Sequence, residues 1–507
     1  MQTNVLEYLE NTVDRVPDKT AFADEESALS FIQVSEQAKS IGTELSRQGA
    51  YREPVVVYMK KCPQTIAAFF GVIYAGCYYV PIDEEMPRRR MQLILENTDA
   101  NYLIYDESTK DKIAALGFEG TALPYETCSK TEMDEEVLAK IREGALDIDP
   151  IYVLFTSGST GVPKGVVGYH RGVIDYIESL SEVLGFNEST VFGNQTPLYL
   201  DACMKEIYPT LKYGATTWLI PKSCFMFPVE FLNDHEINTI CWVVSALTMI
   251  SAFGTFDTVI PKYLHTIAFG SEVFPVKQFN LWKMTIPDAE FFNLYGPTEA
   301  TGMSCYYHAT HVFAEKEVIP IGRPFKNTQI LLLNEQGEPV KDGETGEICI
   351  HGTCLTHGYY NNPEKTAEVF TQNPLNPYFP DRIYHTGDLG RKNEAGDLIF
   401  VSRKDYQIKH MGHRIELGEI ESDVDLIEGI KTCCCIFIQE TKKIVLFYVG
   451  DIDKSGTQGT VATLYDPKCD REVGDITAYA EWQNGSFEDA GNLCGSETKI
   501  CETQLKL

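Results

Sequence analysis

The chain has 507 residues, a length that calls for two or three domains rather than one core. It is 44% hydrophobic and 23% charged, the balance of a globular protein in water, and its formal net charge of −30 sets up a field that repels nucleic acid and anionic membrane. The most apolar stretch, residues 66–82, is broken by Gly71 and Gly76 and closed at Pro81, too short and too interrupted to cross a bilayer.

The N-terminus, MQTNVLEYLENTVDRVPDKTA, carries acids where a secretory leader would carry a basic region and an apolar run, so a cytoplasmic location is expected. The 15 cysteines are odd in number and lack paired spacing, which points to free thiols. Cys433, Cys434 and Cys435 share one strand-like run and alternate in direction, so they cannot jointly hold a metal.

Residues 4–18 and 30–45 show apolar positions at helical spacing and read as packing helices. Residues 54–104 read strand, helix, a stop at Gly76, strand, helix, strand, the rhythm of a parallel α/β sheet. The centre of the chain is IYVLFTSGSTGVPKGVVGYH, residues 151–170, in which a buried strand runs into a loop of glycines and hydroxyls before a second strand. Such a loop suits phosphate: glycines let backbone N–H groups converge, Thr156, Ser157, Ser159 and Thr160 add hydroxyls, and Lys164 adds positive charge. It is not a Walker loop, because Pro163 precedes Lys164 and Gly165 follows it.

Further on, Asp201 stands at the expected N-cap of a helix over 202–212, where an N-cap aspartate contributes about 1 kcal/mol. Residues 239–250 and 264–270 are apolar strand and helix elements. NLYGPTE places Glu299 on a Gly-Pro turn, and residues 319–352 read as short strands and turns of a small β-barrel. YHTGDL places Asp388 on a glycine turn.

TSGSTGVPKG resembles the phosphate-loop signature of the adenylate-forming superfamily, which holds acyl- and aryl-CoA synthetases, luciferases and the adenylation domains of nonribosomal peptide synthetases. YAGCYYVPIDEEMPRRR, YGPTE, YHTGDL and SRKDYQIKHMGHRIELGEIE are similar to further motifs of that family, with Ser402 where glycine is usual. The resemblance implies an α/β fold: a large N-terminal core of two α/β subdomains plus a small β-barrel over 1–401, and a small α+β lid from 402 to 453 that is incomplete here. It implies ATP and Mg²⁺ as cofactors, with Ser157, Gly158, Ser159, Thr160, Gly161, Gly270, Asn293, Tyr295, Gly296, Asp388 and Arg403 on the nucleotide. Tyr295 would stack on adenine and Asp388 would take the ribose hydroxyls. Thr156, Lys164, Thr298, Glu299 and Lys409 carry the catalytic roles, Glu299 holds the metal, Asp405 is the hinge, and a histidine such as His170 follows the phosphate loop.

Within the family, an aspartate at Asp201 receives the α-ammonium of an amino acid, and CoA ligases generally lack it. The implied reaction is ATP-dependent formation of an aminoacyl-AMP with release of pyrophosphate, then transfer to a phosphopantetheine thiol on a carrier protein in another chain or a removed portion. Rival readings are an acyl- or aryl-CoA ligase and a nucleotide-binding remnant. By alignment the substrate pocket comprises Asp201, Ala202, Lys205, Cys241, Ile267, Phe269, Leu294, Gly302 and Met303. Lys205, one helical turn beyond Asp201, either meets an acidic substrate side chain, pairs with Asp201, or turns to solvent beside an apolar pocket.

The resemblance stops after Asp453. Residues 454–507 are rich in Gly, Ser, Thr and acids without hydrophobic periodicity, and a disordered tail is expected. Back-translated and read one base further on, the tail yields the family ending: Glu481 to Asn484 allows Asn-Gly-Lys, the segment whose lysine clamps carboxylate and α-phosphate in relatives. A one-base insertion near the codon for Lys454 accounts for this, and a chain without that lysine is expected to form adenylate poorly.

Overall fold

The structure is a computed structural model and describes residues 2–157, 162–226, 228–404, 407–410, 413–417, 420, 430–438, 443–450, 478–483 and 486–488. Two compact units emerge: residues 1–156 with 163–404, and residues 157–162 with 405–507.

The first unit contains three sheets. Pro54–Tyr58, Tyr78–Ile82 and Tyr102–Tyr105 pair in parallel, the arrangement that alternating strand and helix patterns demand, and Pro150–Thr156 joins at Tyr79↔Tyr152. Lys164–Tyr169 closes that sheet antiparallel to Pro150–Thr156, with Thr156 opposite Lys164. These two residues therefore stand at the two ends of the loop between the strands. The helix Phe31–Arg47 starts on a capping box, in which Ser30 accepts from the Gln33 amide and Gln33 from the Ser30 amide. It packs on Pro63–Tyr74, a helix buried nearly all round. Two glycines allow the contact: a Cβ at Gly71 would lie 2.6 Å from Ile41, and one at Gly42 would lie 2.7 Å from the Tyr74 Cβ.

The second sheet has nine strands, and its parallel centre runs Glu290–Tyr295, Thr266–Gly270, Thr239–Val243, Val191–Asn194 and Thr216–Leu219. Its two faces bury separate cores. Cys241, Ala268, Phe292 and Leu294 lie in one, while Ile240, Trp242, Ile267, Phe269 and Phe291 lie in the other. Parallel α/β sheets present ligand sites beyond the carboxyl ends of their strands, here just after Asn194, Val243, Gly270 and Tyr295. The small β subdomain is a five-stranded antiparallel sheet in which Arg382–Lys392 pairs with Gly346–Gly352, Phe370–Gln372 and Leu398–Arg403.

In the second unit, Gln407–His410 pairs with His413–Glu416, and Ile430–Ile438, Lys443–Gly450, Ala478–Gln483 and Ser486–Glu488 form an antiparallel sheet. The last two strands depart from the tail expected from composition. The run Ala478–Gln483 holds Tyr479 and Trp482, enough β-forming side chain to pair in register with Lys443–Gly450. The rest of the 454–507 tail lies outside the described residues. Ten cysteines among the described residues are free thiols. Among those residues no helix is long and apolar enough to cross a membrane.

Candidate functional site

The strand Glu290–Tyr295 and the turn after it organise the site. Alternation sends Asn293 and Tyr295 to one side and Leu294 to the other. Gly296 must be glycine because a Cβ there would lie 2.3 Å from the Gly302 carbonyl oxygen. A 3-10 turn, Thr298–Ala300, follows, and left-handed Thr301 (φ 55) and Gly302 (φ 94) return the chain.

On the Tyr295 side the polar groups are already engaged. The Tyr295 hydroxyl donates to Asp388 Oδ2 at 2.5 Å, and Arg403 Nη1 donates to Asp388 Oδ1 at 2.6 Å. Asp388 is only 2% exposed, so this charge-assisted pair holds it firmly. Asn293 donates to the Pro320 carbonyl at 2.8 Å. Four residues that the resemblance assigns to nucleotide, Asn293, Tyr295, Asp388 and Arg403, thus belong to one neighbourhood, and antiparallel pairing sets Asp388 opposite Arg403.

Glu299 is completely buried and accepts from the Tyr359 hydroxyl at 2.8 Å. Tyr359 bridges to Val166 on the edge of the Lys164–Tyr169 strand, and the Lys164 ammonium lies 5.4 Å from its ring centre. Tyr359 was missed from sequence. Its partners lie 60 residues away at Glu299 and far upstream at Lys164, so no local spacing advertises it. Glu299 offers oxygen ligands of the type a magnesium ion takes, which fits the expected metal. The Thr156 hydroxyl, at the start of the phosphate loop, is buried with no hydrogen-bond partner among the described residues, a donor suited to a phosphate oxygen.

On the Leu294 side the chain leaves Val191–Asn194 and reaches Asp201. Asp201 is the first residue inside a 3-10 turn, Asp201–Cys203, and not a helix cap; the helix proper is Met204–Tyr213. Burial pushes its carboxyl up, while the Lys205 ammonium and the Thr298 hydroxyl pull it back. Thr298 thereby ties the Asp201 turn to the turn that bears Glu299. Lys205 is 5% exposed, which removes the solvent-facing alternative, and it forms no ion pair with Asp201 among the described residues.

Cys241, Leu294 and Met303 share one buried core with Ala268, and Ala202 and Gly302 flank it. Ile267 and Phe269 do not belong there. The register Cys241↔Ala268 and Gly270↔Leu294 puts Ala268 and Gly270 on that face and turns Ile267 and Phe269 into the opposite core. Gly270, read from the resemblance as a nucleotide residue, is also required by packing, since a Cβ would lie 2.3 Å from the Leu294 carbonyl oxygen.

His170 has a structural environment. It opens the helix His170–Leu184, its Nδ1 accepts from the Val5 amide at 3.2 Å, and its Nε2 is 3.4 Å from the Asn4 amide nitrogen. Burial, aided by Arg142, holds it down at about 3, so it is neutral. Glu347, Cys349 and His385 converge in a grouping of metal-ligand types, but Lys404 Nζ lies 3.0 Å from Glu347 and serves as its counter-ion. Burial raises the Glu347 carboxyl, yet His385 and Lys404 outweigh it and hold it down at about 2. Ser157 and Lys409 belong to the second unit, Lys409 on the strand Gln407–His410. Gly158, Ser159, Thr160, Gly161 and Asp405 lie outside the described residues.

Comparison with known proteins bears on this arrangement. A family model described as AMP-binding enzyme matches residues 9–360. Tyrocidine synthase 1 of Brevibacillus parabrevis is 30% identical over 423 residues, which cover 83% of this chain and 38% of that protein. Zwittermicin A synthase ZmaJ of Bacillus cereus is 30% identical over 477 residues, covering 89% of this chain and 87% of that protein. Among solved structures, an artificially fused Adenylation-PCP di-domain NRPS from Klebsiella oxytoca superposes with a TM-score of 0.76 at 21% identity, covering 88% of each chain. The nonribosomal peptide synthetase FmoA3, in its alpha-methyl-L-serine-AMP bound form, superposes with a TM-score of 0.71 at 25% identity, covering 82% of this chain and 46% of that one. The chain thus spans 38% of the length of the first of these relatives and most of the second.

Proposed function

Because the chain belongs to the family of AMP-binding enzymes, we propose that it activates an amino acid as its aminoacyl-AMP, with pyrophosphate released, for transfer to the phosphopantetheine thiol of a carrier protein. The observation that carries this reading is the half-buried Asp201 carboxylate, which follows the strand Val191–Asn194 of the nine-stranded sheet and interacts with Thr298, the neighbour of Glu299. An acceptor there meets an α-ammonium, and a simple carboxylic acid would leave that charge buried and unpaired. Similarity to nonribosomal peptide synthetases, one of them in an alpha-methyl-L-serine-AMP bound form, supports the same reading.

In the proposed reaction a carboxylate oxygen of the amino acid attacks the α-phosphorus of ATP, and the bond to the bridging oxygen of the leaving pyrophosphate breaks. Catalysis here is mostly positioning and charge neutralisation. Asp201 holds the ammonium so that the carboxylate points toward the Thr298–Glu299 turn. Thr156 and Lys164 offer a hydroxyl and a positive charge to the phosphates from the two ends of their loop. Asp388 presents its carboxylate to ribose, exchanging one of its present donors for sugar hydroxyls, while Tyr295 lines the base. Glu299 would hold magnesium, which when bound neutralises phosphate charge, and Tyr359 fixes the orientation of the Glu299 carboxylate. Asp405 serves as the hinge, and Lys409 acts in the thioester-forming half. Residues 1–401 and 402–453 divide as core and lid.

The altered ending favours a second reading, a nucleotide-binding protein of impaired catalysis. Amino-acid-dependent pyrophosphate–ATP exchange on the present chain and on one with its reading frame restored separates the two. The main reading expects exchange from the restored chain and roughly 10²-fold less from the present one, the usual size of a lost charge clamp. ATP binding without exchange in the restored chain supports the remnant. CoA-dependent thioester formation from a simple carboxylic acid supports a CoA ligase.

A further inference from the structure

A cavity of about 230 Å³ lies in the first unit, and none of its lining residues belongs to either side of the strand Glu290–Tyr295. That volume is far more than the roughly 10–15 Å³ that one water needs, and the cavity reaches the surface at Glu135, an exposed residue of its lining. Part of its wall is the closed end of the hairpin that carries the phosphate loop. Pro150 opens the first strand of that hairpin, His170 follows the second, and both line the cavity.

Three donors in this wall lack an acceptor among the described residues. The Nδ1 of His170 accepts from the Val5 amide, and burial keeps the ring neutral, so its one proton sits on Nε2. What Nε2 meets, at 3.4 Å, is the Asn4 side-chain nitrogen, because the Asn4 oxygen accepts from the Leu6 amide at 3.0 Å. Two donors thus face each other. Turning the Asn4 amide over would satisfy Nε2 and leave the Leu6 amide facing a donor instead. Asn4 is 6% exposed and His170 3%, so only an occupant of the cavity can serve them. The third donor is Arg142. Its Nη2 donates to Glu10 Oε2 at 2.5 Å, but its Nη1 is buried with no hydrogen-bond partner among the described residues. The Arg142 charge acts on the His170 ring, which sets the two near each other.

The acids in the same wall have partners of their own. Glu10 is met by the Tyr74 hydroxyl and Arg142 Nη2, Glu135 by Lys39, and Asp149 by Arg52 and the Leu146 amide. With His170 neutral, these three carboxylates stand against the cations Lys39 and Arg142, a balance that repels a multiply charged anion more than a singly charged one. Leu6, Ile73, Leu138 and Ile141 make much of the remaining wall apolar. We propose that this cavity is a second ligand site, which takes a small monocarboxylate with an apolar body: the carboxylate sits among Asn4, His170 and Arg142, and the body lies on the apolar wall. A carboxylate only accepts, and its two oxygens together answer three converging donors. The site is independent of the reading of Asp201.

The test is titration calorimetry of isovalerate into the full chain, with isovaleramide and inorganic phosphate as comparisons, on the wild type, Asn4→Asp and Arg142→Lys. The wild type is expected to bind isovalerate roughly 10-fold or more tighter than isovaleramide or phosphate, since a charged acceptor makes the stronger hydrogen bonds. Asn4→Asp places a carboxylate of the protein's own among the donors. It should abolish isovalerate binding and yet leave the midpoint of urea unfolding unchanged or higher, which a damaged fold would not do. Arg142→Lys keeps a charge for Glu10 but removes the fork that supplies Nη1, and should weaken isovalerate binding roughly 10-fold. No isovalerate binding by the wild type, equal binding of the amide, tighter binding of phosphate, or binding unchanged in either variant overturns the inference. So does a lower unfolding midpoint in Asn4→Asp, because the donors would then already have their acceptor. None of these results bears on Asp201, whose own test is pyrophosphate exchange.

Discussion

The two sides of the strand Glu290–Tyr295 are built on opposite principles. On the side of Asn293 and Tyr295 the polar groups already have protein partners: Asp388 is held by Tyr295 and Arg403, and Asn293 by the Pro320 carbonyl. On the side of Leu294, Lys205 and Tyr176 are buried and make no side-chain hydrogen bond among the described residues. The first side is preorganised for a ligand common to a whole family, the nucleotide. The second holds its charges in reserve for a ligand that must be told from its competitors, because a group left unpaired by the wrong substrate discriminates more strongly than an apolar contact.

The sharpest way to break this comparison is Asp201→Asn. Once substrate covers the half-buried Asp201, loss of this partner to an ammonium costs about 3 kcal/mol, so amino-acid affinity should fall roughly 10²-fold while nucleotide affinity is kept. Calorimetry with each ligand separately checks this; equal losses for both would show that the two sides are not independent. Asp388→Asn tests the other side. It removes the charge that Arg403 Nη1 meets in Asp388, both side chains being largely buried, and should lower both nucleotide affinity and unfolding stability, by about 1–3 kcal/mol.

His170 belongs to neither side and serves as the reference for acid effects. Its folded pKa of about 3 lies below its ordinary 6.5, so the unfolded chain takes up the proton first. Its contribution is intact above pH 6.5 and lost progressively as pH falls toward 3. Between pH 7 and 5 the loss should be about 2 kcal/mol, measured by urea unfolding, and a His170→Gln protein should show a flatter decline. The smallest effect is expected from Tyr359→Phe. It removes one hydrogen bond to Glu299, about 1 kcal/mol, and should raise the magnesium requirement of exchange several-fold with little change in amino-acid affinity.

Much of this was legible in the sequence where local chemistry dictates form. The strand and helix rhythm of residues 54–104 appears as read, because Gly76 ends an apolar helical run of the right length, although Pro81 falls inside the strand Tyr78–Ile82 and does not close it. The Gly-Pro turn bearing Glu299 also appears as read. The register of Thr266–Gly270 was not legible. Both faces of a central parallel strand are buried, so Ile267, Ala268 and Phe269 carry no polar alternation to say which face meets Cys241, and a one-residue slip exchanged them. Tyr359 was invisible for a different reason: its role arises only when a distant segment pairs with the edge of Lys164–Tyr169. The Asp201 turn fell between these cases. Its residue was identified, but a half-buried carboxylate meeting Thr298 replaced the expected cap.

The most direct measurement is mass-spectrometric detection of the product: the frame-restored protein is incubated with ATP, Mg²⁺ and the proteinogenic amino acids, and the same mixture is given to its Asp201→Asn variant. The account predicts an aminoacyl-AMP from the restored protein that is absent from the variant. An adenylate formed only from acids that lack an amino group, or an aminoacyl-AMP formed equally well without Asp201, would contradict it.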